Sequence, residues 1–266
     1  MNTTPPLIEV KDLSIGFDNH AGDTLPILRN IDLTLYPGET IGLVGESGCG
    51  KSTLALAMMG FLKPPLRVLN GVSLFKGQDM FSLSGSELES IRGGDLALIP
   101  QNAGQSLTPT MRIGKQIIEA LRLHTNLPKE QWYARAVELL TQVRLPAPEI
   151  LLARYPHELS GGQQQRGAVA MALAAEPDVL LLDEPTTGLD VTTQAHVLEL
   201  LRTLALETGT AMVYASHDLG AIAQVCDQVV VMYAGEIVFS GTANQVLKRP
   251  VHPYARGLLS SIPRLK

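Results

Sequence analysis

The sequence predicts a mixed α/β fold that is built on a parallel β-sheet and interrupted by a helical insertion. An apolar strand at 39–44 leads through a glycine-rich loop into a helix, and a second apolar run at 179–182 shows no alternation with polar residues. Such runs are expected of strands that are buried on both faces of a parallel sheet. Between about 102 and 158 the apolar residues recur at helical spacing instead.

The individual elements follow from local patterns in chain order. Residues 7–17 and 27–36 alternate between apolar and polar side chains, which is typical of antiparallel strands at a sheet edge. The glycine-rich loop at 45–52 is followed by a helix at 52–59. Further strands are expected at 68–75, 95–100, 179–182, 210–215, 228–233 and 236–239, and a further core helix at 161–175.

The helical insertion predicts a division into domains. Ile117, Ile118 and Leu121 recur at helical spacing, and Pro146 and Pro148 close the segment. We therefore expect an α/β core formed by residues 1–101 and 159–247, with the antiparallel strands at its amino end. A helical subdomain at 102–158 and a short C-terminal extension at 248–266 complete the expected organisation.

Composition excludes several classes of protein. Hydrophobic residues make up 45% of the 266-residue chain, which is enough for a large core, but no run approaches the roughly 18 apolar residues of a membrane span. The first ten residues lack the basic start of a secretory signal. A net charge of −5 without a long basic run argues against nucleic acid as the main partner. Two cysteines outside any C-x-x-C pair indicate a reducing compartment.

A phosphate-binding loop is the clearest motif. Residues 45–52 read Gly-Glu-Ser-Gly-Cys-Gly-Lys-Ser, a full G-x-x-x-x-G-K-S pattern between a strand and a helix. Its glycines let successive N–H groups point into one anion-sized hollow, whereas the alternative is a flexible glycine-rich turn. Lys51 is expected to reach the β- and γ-phosphates and Ser52 to ligate Mg²⁺. The predicted nucleotide contacts here are Gly45, Glu46, Ser47, Gly48, Cys49, Gly50, Lys51, Ser52 and Thr53.

Two carboxylates end the apolar run at 179–182. Ligands of open α/β sheets bind at the carboxyl ends of the strands, which is where Asp183 and Glu184 stand. Alone, the two acids could simply end a strand at a solvent edge. Together with the phosphate loop, they favour Asp183 as a Mg²⁺ ligand and Glu184 as the base that polarises an attacking water.

A third motif opens the helix at 161–175. Ser160 and Gln163 have the spacing of a capping box, so a well-made helix start would explain them. The adjacent Gly161 and Gly162, however, leave the first-turn N–H groups open to a phosphate.

With these motifs the chain resembles the ATP-binding subunits of ABC transporters, from about residue 7 to 263. The resemblance implies an ABC-type P-loop nucleotide-binding domain that uses ATP and Mg²⁺. Two subunits would sandwich each ATP, so that Ser160, Gly161, Gly162 and Gln163 would serve the ATP bound mainly by the partner.

The resemblance also assigns roles to single residues. Phe17 matches the aromatic residue that stacks on adenine, although a core strand aromatic would look the same, and Gln101 matches the glutamine that links Mg²⁺ and water to the helical subdomain. Asp190 matches the acid that contacts the opposite subunit, and His217 the histidine that contacts the γ-phosphate. The implied catalytic set is Glu184, His217 and Gln101, and the implied Mg²⁺ ligands are Ser52, Gln101 and Asp183.

Within that family, the chain is similar to importers of the peptide/nickel branch. Residues 101–116 follow that branch's Gln-x-x-x-x-Ser-Leu-Asn-Pro pattern with Thr108 in place of Asn, and 252–259 read His-Pro-Tyr-Ala-Arg-Gly-Leu-Leu. Residues 62–68 look like the first of two different ATPase subunits. The end at Lys266, without a cysteine-bearing tail, resembles the shorter nickel, metallophore or dipeptide members.

This likeness implies an ATPase that energises uptake of an oligopeptide, a dipeptide or a nickel or metallophore complex. Its partners would be a second ATP-binding subunit of different sequence, two membrane permeases and an extracytoplasmic solute-binding protein, at the cytoplasmic face of a bacterial inner membrane. The alternative is a soluble non-transport ABC ATPase. The scattered histidines lack ligand spacing and predict no further metal site.

Overall fold

The computed structural model describes residues 4–19, 21–248 and 253–260 of the chain. The strands are β1 (Ile8–Asp18), β2 (Thr24–Leu35), β3 (Thr40–Val44), β4 (Arg67–Phe75), β5 (Gln78–Asp79), β6 (Leu96–Ile99), β7 (Val179–Asp183), β8 (Ala211–Ser216), β9 (Gln228–Tyr233) and β10 (Glu236–Thr242). The α-helices are α1 (Lys51–Met58), α2 (Gly85–Ile91), α3 (Ala103–Ser106), α4 (Ile113–His124), α5 (Trp132–Gln142), α6 (Pro148–Leu152), α7 (Gly161–Ala172), α8 (Val191–Thr208), α9 (Leu219–Val225), α10 (Ala243–Lys248) and α11 (Pro253–Ser260).

The chain divides into two compact units, residues 1–88 with 211–266 and residues 89–210. The predicted helical subdomain at 102–158 lies wholly inside the second unit, together with β6, β7, α7 and α8. The proposed boundaries at 101/102 and 158/159 stay a prediction. Part of the predicted C-terminal extension, 249–252 and 261–266, lies outside the described residues.

The first unit contains the predicted antiparallel sheet, in the order β2-β1-β4-β5. β1 pairs antiparallel with β2 and with β4, so that Ile8 stands opposite both Leu35 and Phe75, and all three side chains are buried. β2 begins three residues earlier than predicted because Thr24 pairs with Asp18 at the far end of β1.

Parallel strands form the other sheet of the first unit. β3 lies between β8 and β9 and is parallel to both, and all five of its residues are buried. Gly42 of β3 packs under α9, where a Cβ atom would stand 2.2 Å from Ile222 Cγ2, so no larger residue fits. β10 pairs antiparallel with β9 at the edge. Because the strands are parallel, the ends of β3 and β8 meet at one edge, which is where the phosphate loop begins.

The second unit joins a parallel strand pair to a cluster of helices. β6 pairs with β7 from Leu96↔Val179 to Ile99↔Leu182, and Val179–Leu182 are fully buried, as the apolar run predicts. The helices α4, α5 and α7 pack on one another through side chains such as Ile117 and Leu139.

β6 and α7 both end earlier than the sequence predicted. β6 stops at Ile99 because Pro100 has no N–H to donate to a neighbouring strand. α7 stops at Ala172 rather than near 175, and residues 173–175 form a turn. The other elements that were predicted with bounds begin and end within three residues of those bounds, and the α/β class is confirmed. β5 and α2 were not predicted. None of the helices in the described part of the chain combines the length and apolar character that crossing a bilayer needs.

Candidate functional site

The phosphate loop connects β3 to α1 and depends on glycine at several positions. Gly48 and Gly50 adopt φ values of 82° and 108°, in the left-handed region that glycine enters without strain. At Gly45 a Cβ atom would stand 2.3 Å from the carbonyl oxygen of Met232 in β9, so packing alone requires glycine. Gly50, the N-cap residue of α1, has no side chain that could cap the helix, which is typical of helix starts that bind phosphate.

Lys51 lies curled under its own loop. Its side chain is buried, and Nζ donates to the carbonyl oxygens of Gly45 (2.8 Å) and Glu46 (3.0 Å). A buried ammonium group is stable only with such partners. An incoming phosphate offers Lys51 a stronger, charged acceptor than these neutral carbonyls. Ser52 and Thr53 follow in the first turn of α1, where Ser52 is exposed.

His217 leaves the sheet beside the phosphate loop. Val44 pairs with Ser216 in the parallel register of β3 and β8. His217 is therefore the first residue after β8, just as Gly45 is the first residue after β3. The turn is held because Asp218 accepts hydrogen bonds from the N–H groups of Gly220 (2.8 Å) and Ala221 (3.1 Å) and so caps α9. His217 is exposed. Phe17, near the end of β1 opposite Leu25, is half-buried.

In the second unit, Glu184 is held by two donors. Gln101 Nε2 and Thr187 Oγ1 each donate to Glu184 Oε2, both at 3.0 Å. The meeting of Gln101 and Glu184 follows from register, because each lies two residues beyond the Ile99↔Leu182 pair. Glu184 has a φ of 47°, an uncommon conformation for a non-glycine residue.

Gln101 and Asp183 carry side-chain oxygen atoms of the kind that bind hard cations. Asp183 is the last residue of β7 and is half-buried. Gln101 uses Nε2 for its hydrogen bond to Glu184, so Oε1 of the same amide does not take part in that bond. Hydroxyl, amide and carboxylate oxygens, the donors of Ser52, Gln101 and Asp183, are the ligand types that Mg²⁺ takes. No group of three or more His, Cys, Asp or Glu side chains within 4–19, 21–248 and 253–260 is arranged as a metal site.

The start of α7 is the predicted capping box. Ser160 Oγ accepts from the Gln163 N–H (3.4 Å), and Gln163 Oε1 accepts from the Ser160 N–H (2.9 Å). The two glycines differ. At Gly162 a Cβ atom would meet Thr193 Cγ2 of α8 at 2.6 Å, whereas at Gly161 it would meet nothing within 4 Å. Gly162 is therefore required by packing, while Gly161 is open to a ligand from outside.

Asp190 caps α8. Its two oxygens accept from the N–H (2.9 Å) and the hydroxyl (2.6 Å) of Thr193, and these hydrogen bonds lower the pKa of the carboxyl. The cap accounts for an aspartate at this position without any partner subunit, so the contact implied by resemblance stays a prediction.

Comparison with known proteins decides the family. Residues 28–187 match the sequence model of the family described as ABC transporter. The chain is 47% identical to the oligopeptide transport ATP-binding protein OppD of Bacillus subtilis, covering 98% of this chain and 73% of that protein. It is 43% identical to the dipeptide transport ATP-binding protein DppD of the same organism, covering 97% and 77%. The chain belongs to the ABC transporter family.

Solved structures of the family share the fold. This chain is similar to the ATP-binding cassette MJ0796, which was solved as a dimer in a post-hydrolysis state bound to ADP and Pi. The TM-score is 0.78, and the identity is 26% over 89% of this chain and 98% of that one. The chain is also similar to cbiO1 of Clostridium perfringens, part of the ABC transporter complex cbiONQ, with a TM-score of 0.77 and 27% identity over 97% and 96%. The predicted family, fold class and ATP binding are thereby confirmed.

Sequence reasoning missed three residues of this ABC cassette. Thr187 has no motif of its own, and only the fold shows its hydroxyl on Glu184. Gln116 is buried in α4 and exchanges hydrogen bonds with Thr108, accepting from its N–H (2.8 Å) and donating to its carbonyl (3.1 Å), which pins the loop after α3. Tyr254 of α11 accepts from the N–H of Glu46 in the phosphate loop (3.0 Å). A polar residue at a buried helical position, as at Gln116, is the one signal that could have been noticed.

Proposed function

We propose that the chain is the ATP-hydrolysing subunit of an importer for peptides, within the broader peptide and nickel class. The observation that carries the proposal is the Glu184 carboxylate held by Gln101 and Thr187, on a chain 43–47% identical to oligopeptide and dipeptide transport ATP-binding proteins. A binding subunit without turnover would not need a base oriented in this way.

Phosphate binding falls to the loop and α1. Lys51 exchanges the carbonyls of Gly45 and Glu46 for the β- and γ-phosphates, and the N–H groups at the start of α1 donate to phosphate oxygens. His217 donates to the γ-phosphate, and Phe17 stacks on the adenine. Ser52, Gln101 and Asp183 would supply oxygen ligands to Mg²⁺, and the ion would neutralise charge on the phosphates.

Hydrolysis depends on Glu184. Two hydrogen bonds to Oε2 fix the rotation of the carboxylate, so that it polarises a water in one direction. Gln101 links this base to the loop before α4. A nucleotide or partner that moves Gln101 therefore changes the orientation of the base as well.

A second ATP-binding subunit of different sequence completes each site. Gly161 and the first turn of α7, which Ser160 and Gln163 cap, face a phosphate held by that partner. Asp190 contacts the partner subunit beyond its role as a cap.

A groove in the second unit suits a membrane permease. It has a volume of about 360 Å³ and runs between β6, α4 and α7, lined by residues such as Leu98, Pro100, Ser106 and Leu123. Leu123 is 63% exposed, which suits an apolar partner segment. We expect two permeases and an extracytoplasmic solute-binding protein in the complex, which places the chain peripherally at the cytoplasmic face of the inner membrane. No observation favours a soluble non-transport ATPase.

The test is capture of the closed complex from native membranes. Full-length Glu184→Gln is used as bait with Mg²⁺-ATP, and Glu207→Gln, which makes the same change on an exposed residue of α8, is the matched control. We expect the first variant to retain two permeases and a second ATPase by mass spectrometry and to release phosphate far more slowly than the control. Recovery of soluble partners only, or equal phosphate release by the two variants, contradicts the proposal.

A further inference from the structure

A tyrosine from the far end of the chain contacts the phosphate loop. Tyr254, the second residue of α11, accepts a hydrogen bond of 3.0 Å from the N–H of Glu46, 208 positions earlier. Its ring lies against Tyr233 at the end of β9, with 4.7 Å between centroids and 53° between planes. Burial raises the pKa of Tyr254, so its hydroxyl is neutral across the physiological range.

The ring of Tyr254 contacts Tyr233, which precedes a turn that is hydrogen-bonded to the phosphate loop. Gly235 donates to the carbonyl oxygen of Cys49 (3.1 Å), and it accepts from the N–H of Arg29 in β2 (2.9 Å). The turn after Tyr233 is thus held from two sides, and the ring of Tyr233 packs against the ring of Tyr254. The hydroxyl is therefore directed at Glu46 by packing rather than by a flexible tail.

The hydrogen bond acts on one particular peptide group. The carbonyl of Gly45 and the N–H of Glu46 belong to the same peptide, and in a trans peptide they point in opposite directions. Lys51 Nζ holds the carbonyl edge and Tyr254 holds the N–H edge. When Lys51 turns to a phosphate, the carbonyl edge loses its partner and Tyr254 is the group that still orients this peptide.

We propose that Tyr254 is a positioning residue that holds the Gly45–Glu46 peptide in the nucleotide-competent orientation and so couples the docking of α11 to nucleotide affinity. This inference rests on the proposed binding of ATP phosphates by the loop. Because coupling is reciprocal, a bound nucleotide must stabilise the docked state of α11 by the same factor.

The test compares two variants of the full-length chain that remove the same atom. Tyr254→Phe removes the hydroxyl that accepts from the Glu46 N–H but keeps the aromatic ring. Tyr233→Phe also removes a hydroxyl and keeps its ring, but it leaves the hydrogen bond between Tyr254 and Glu46 in place. We expect Tyr254→Phe to weaken ATP and ADP binding about twofold to tenfold, the range for one neutral hydrogen bond, with KM raised more than kcat is lowered. Tyr233→Phe should bind like the parent chain.

Hydrogen exchange separates positioning from a purely structural role. In the parent chain, Mg²⁺-ADP should slow amide exchange in 253–260, and Tyr254→Phe should abolish that nucleotide-dependent change. Equal nucleotide affinity of Tyr254→Phe and the parent, or nucleotide-dependent protection that survives the substitution, overturns the inference. If instead the parent fails to bind nucleotide, or Lys51→Ala binds as well as the parent, the proposed function itself fails.

Discussion

Gln101 donates a hydrogen bond of 3.0 Å from Nε2 to Oε2 of Glu184, although 83 residues separate them in the chain. Thr187, three residues after Glu184, donates to the same oxygen at the same distance. Two neutral donors on one carboxylate oxygen restrict its rotation without neutralising its charge. The orientation of the proposed base is therefore set jointly by Thr187 of its own loop and by Gln101, which follows the neighbouring strand β6.

The contribution of Thr187 to the orientation of Glu184 can be measured with Thr187→Val, which preserves side-chain shape. Loss of one hydrogen bond to a charged group should lower kcat about tenfold or more, while KM for ATP changes less than about twofold. Steady-state phosphate release measures both quantities. Thr141→Val, which removes a hydroxyl bonded to the Val137 carbonyl on α5, is the control. A kcat equal to the control would exclude Thr187 from orienting Glu184.

Lys51→Ala tests the phosphate loop. It removes the ammonium that is expected to move from two loop carbonyls to the phosphates, and affinity for ATP should fall about a hundredfold or more. Lys63→Ala, at an exposed lysine, is the matched control. Equilibrium titration with a fluorescent nucleotide gives both dissociation constants. Retained affinity in Lys51→Ala would contradict the assignment of the loop.

Gly161→Ala and Gly162→Ala separate ligand access from packing. The first places its Cβ in open space and should leave the thermal midpoint unchanged while suppressing ATP-dependent dimerisation with the second ATP-binding subunit and hydrolysis by the pair. The second forces Cβ onto Thr193 and should destabilise the fold by about 1–3 kcal/mol. Calorimetry and size-exclusion chromatography with Mg²⁺-ATP record the two effects. Normal dimerisation of a stable Gly161→Ala would argue that no outside ligand approaches this position.

Gly167→Ala should stabilise the protein. Gly167 lies in the interior of α7, where a Cβ meets nothing within 4 Å, so alanine should raise the free energy of unfolding by about 0.5–1 kcal/mol. Gly209→Ala should act in the opposite direction, because Gly209 ends α8 with a φ of 69° that alanine disfavours. Denaturant unfolding measures both. A loss of stability in Gly167→Ala would show that the space beside it is not available.

Acid should remove the stabilising effect of Asp190. Hydrogen bonds from Thr193 lower the folded pKa of this carboxyl below its usual range, so its contribution is fully present above about pH 5 and is lost as the pH falls through the lowered pKa. The difference in unfolding free energy between the parent and Asp190→Ala should therefore shrink as the pH falls below the ordinary aspartate pKa of about 3.9. A difference independent of pH would mean that the charge of the cap has no effect.

The sequence by itself determined the parts of this protein that are encoded locally. The phosphate loop, the Asp183–Glu184 pair and the capping box at Ser160 are each contiguous, and their chemistry follows from the residue types and spacing alone. Most of the strands and the main core helices were predictable for the same reason, since hydrophobic periodicity is a property of a short segment. The family followed from the order of these motifs, and the comparisons confirm it.

Only the tertiary structure decided which distant residues meet. Gln101 reaches Glu184 because β6 and β7 pair in one register, and Tyr254 reaches Glu46 because α11 docks beside β9. Gly162 must be glycine because Thr193 of the next helix leaves no room for a Cβ atom. Register and docking are set by the simultaneous burial of many apolar side chains across the unit, so no local pattern specifies them.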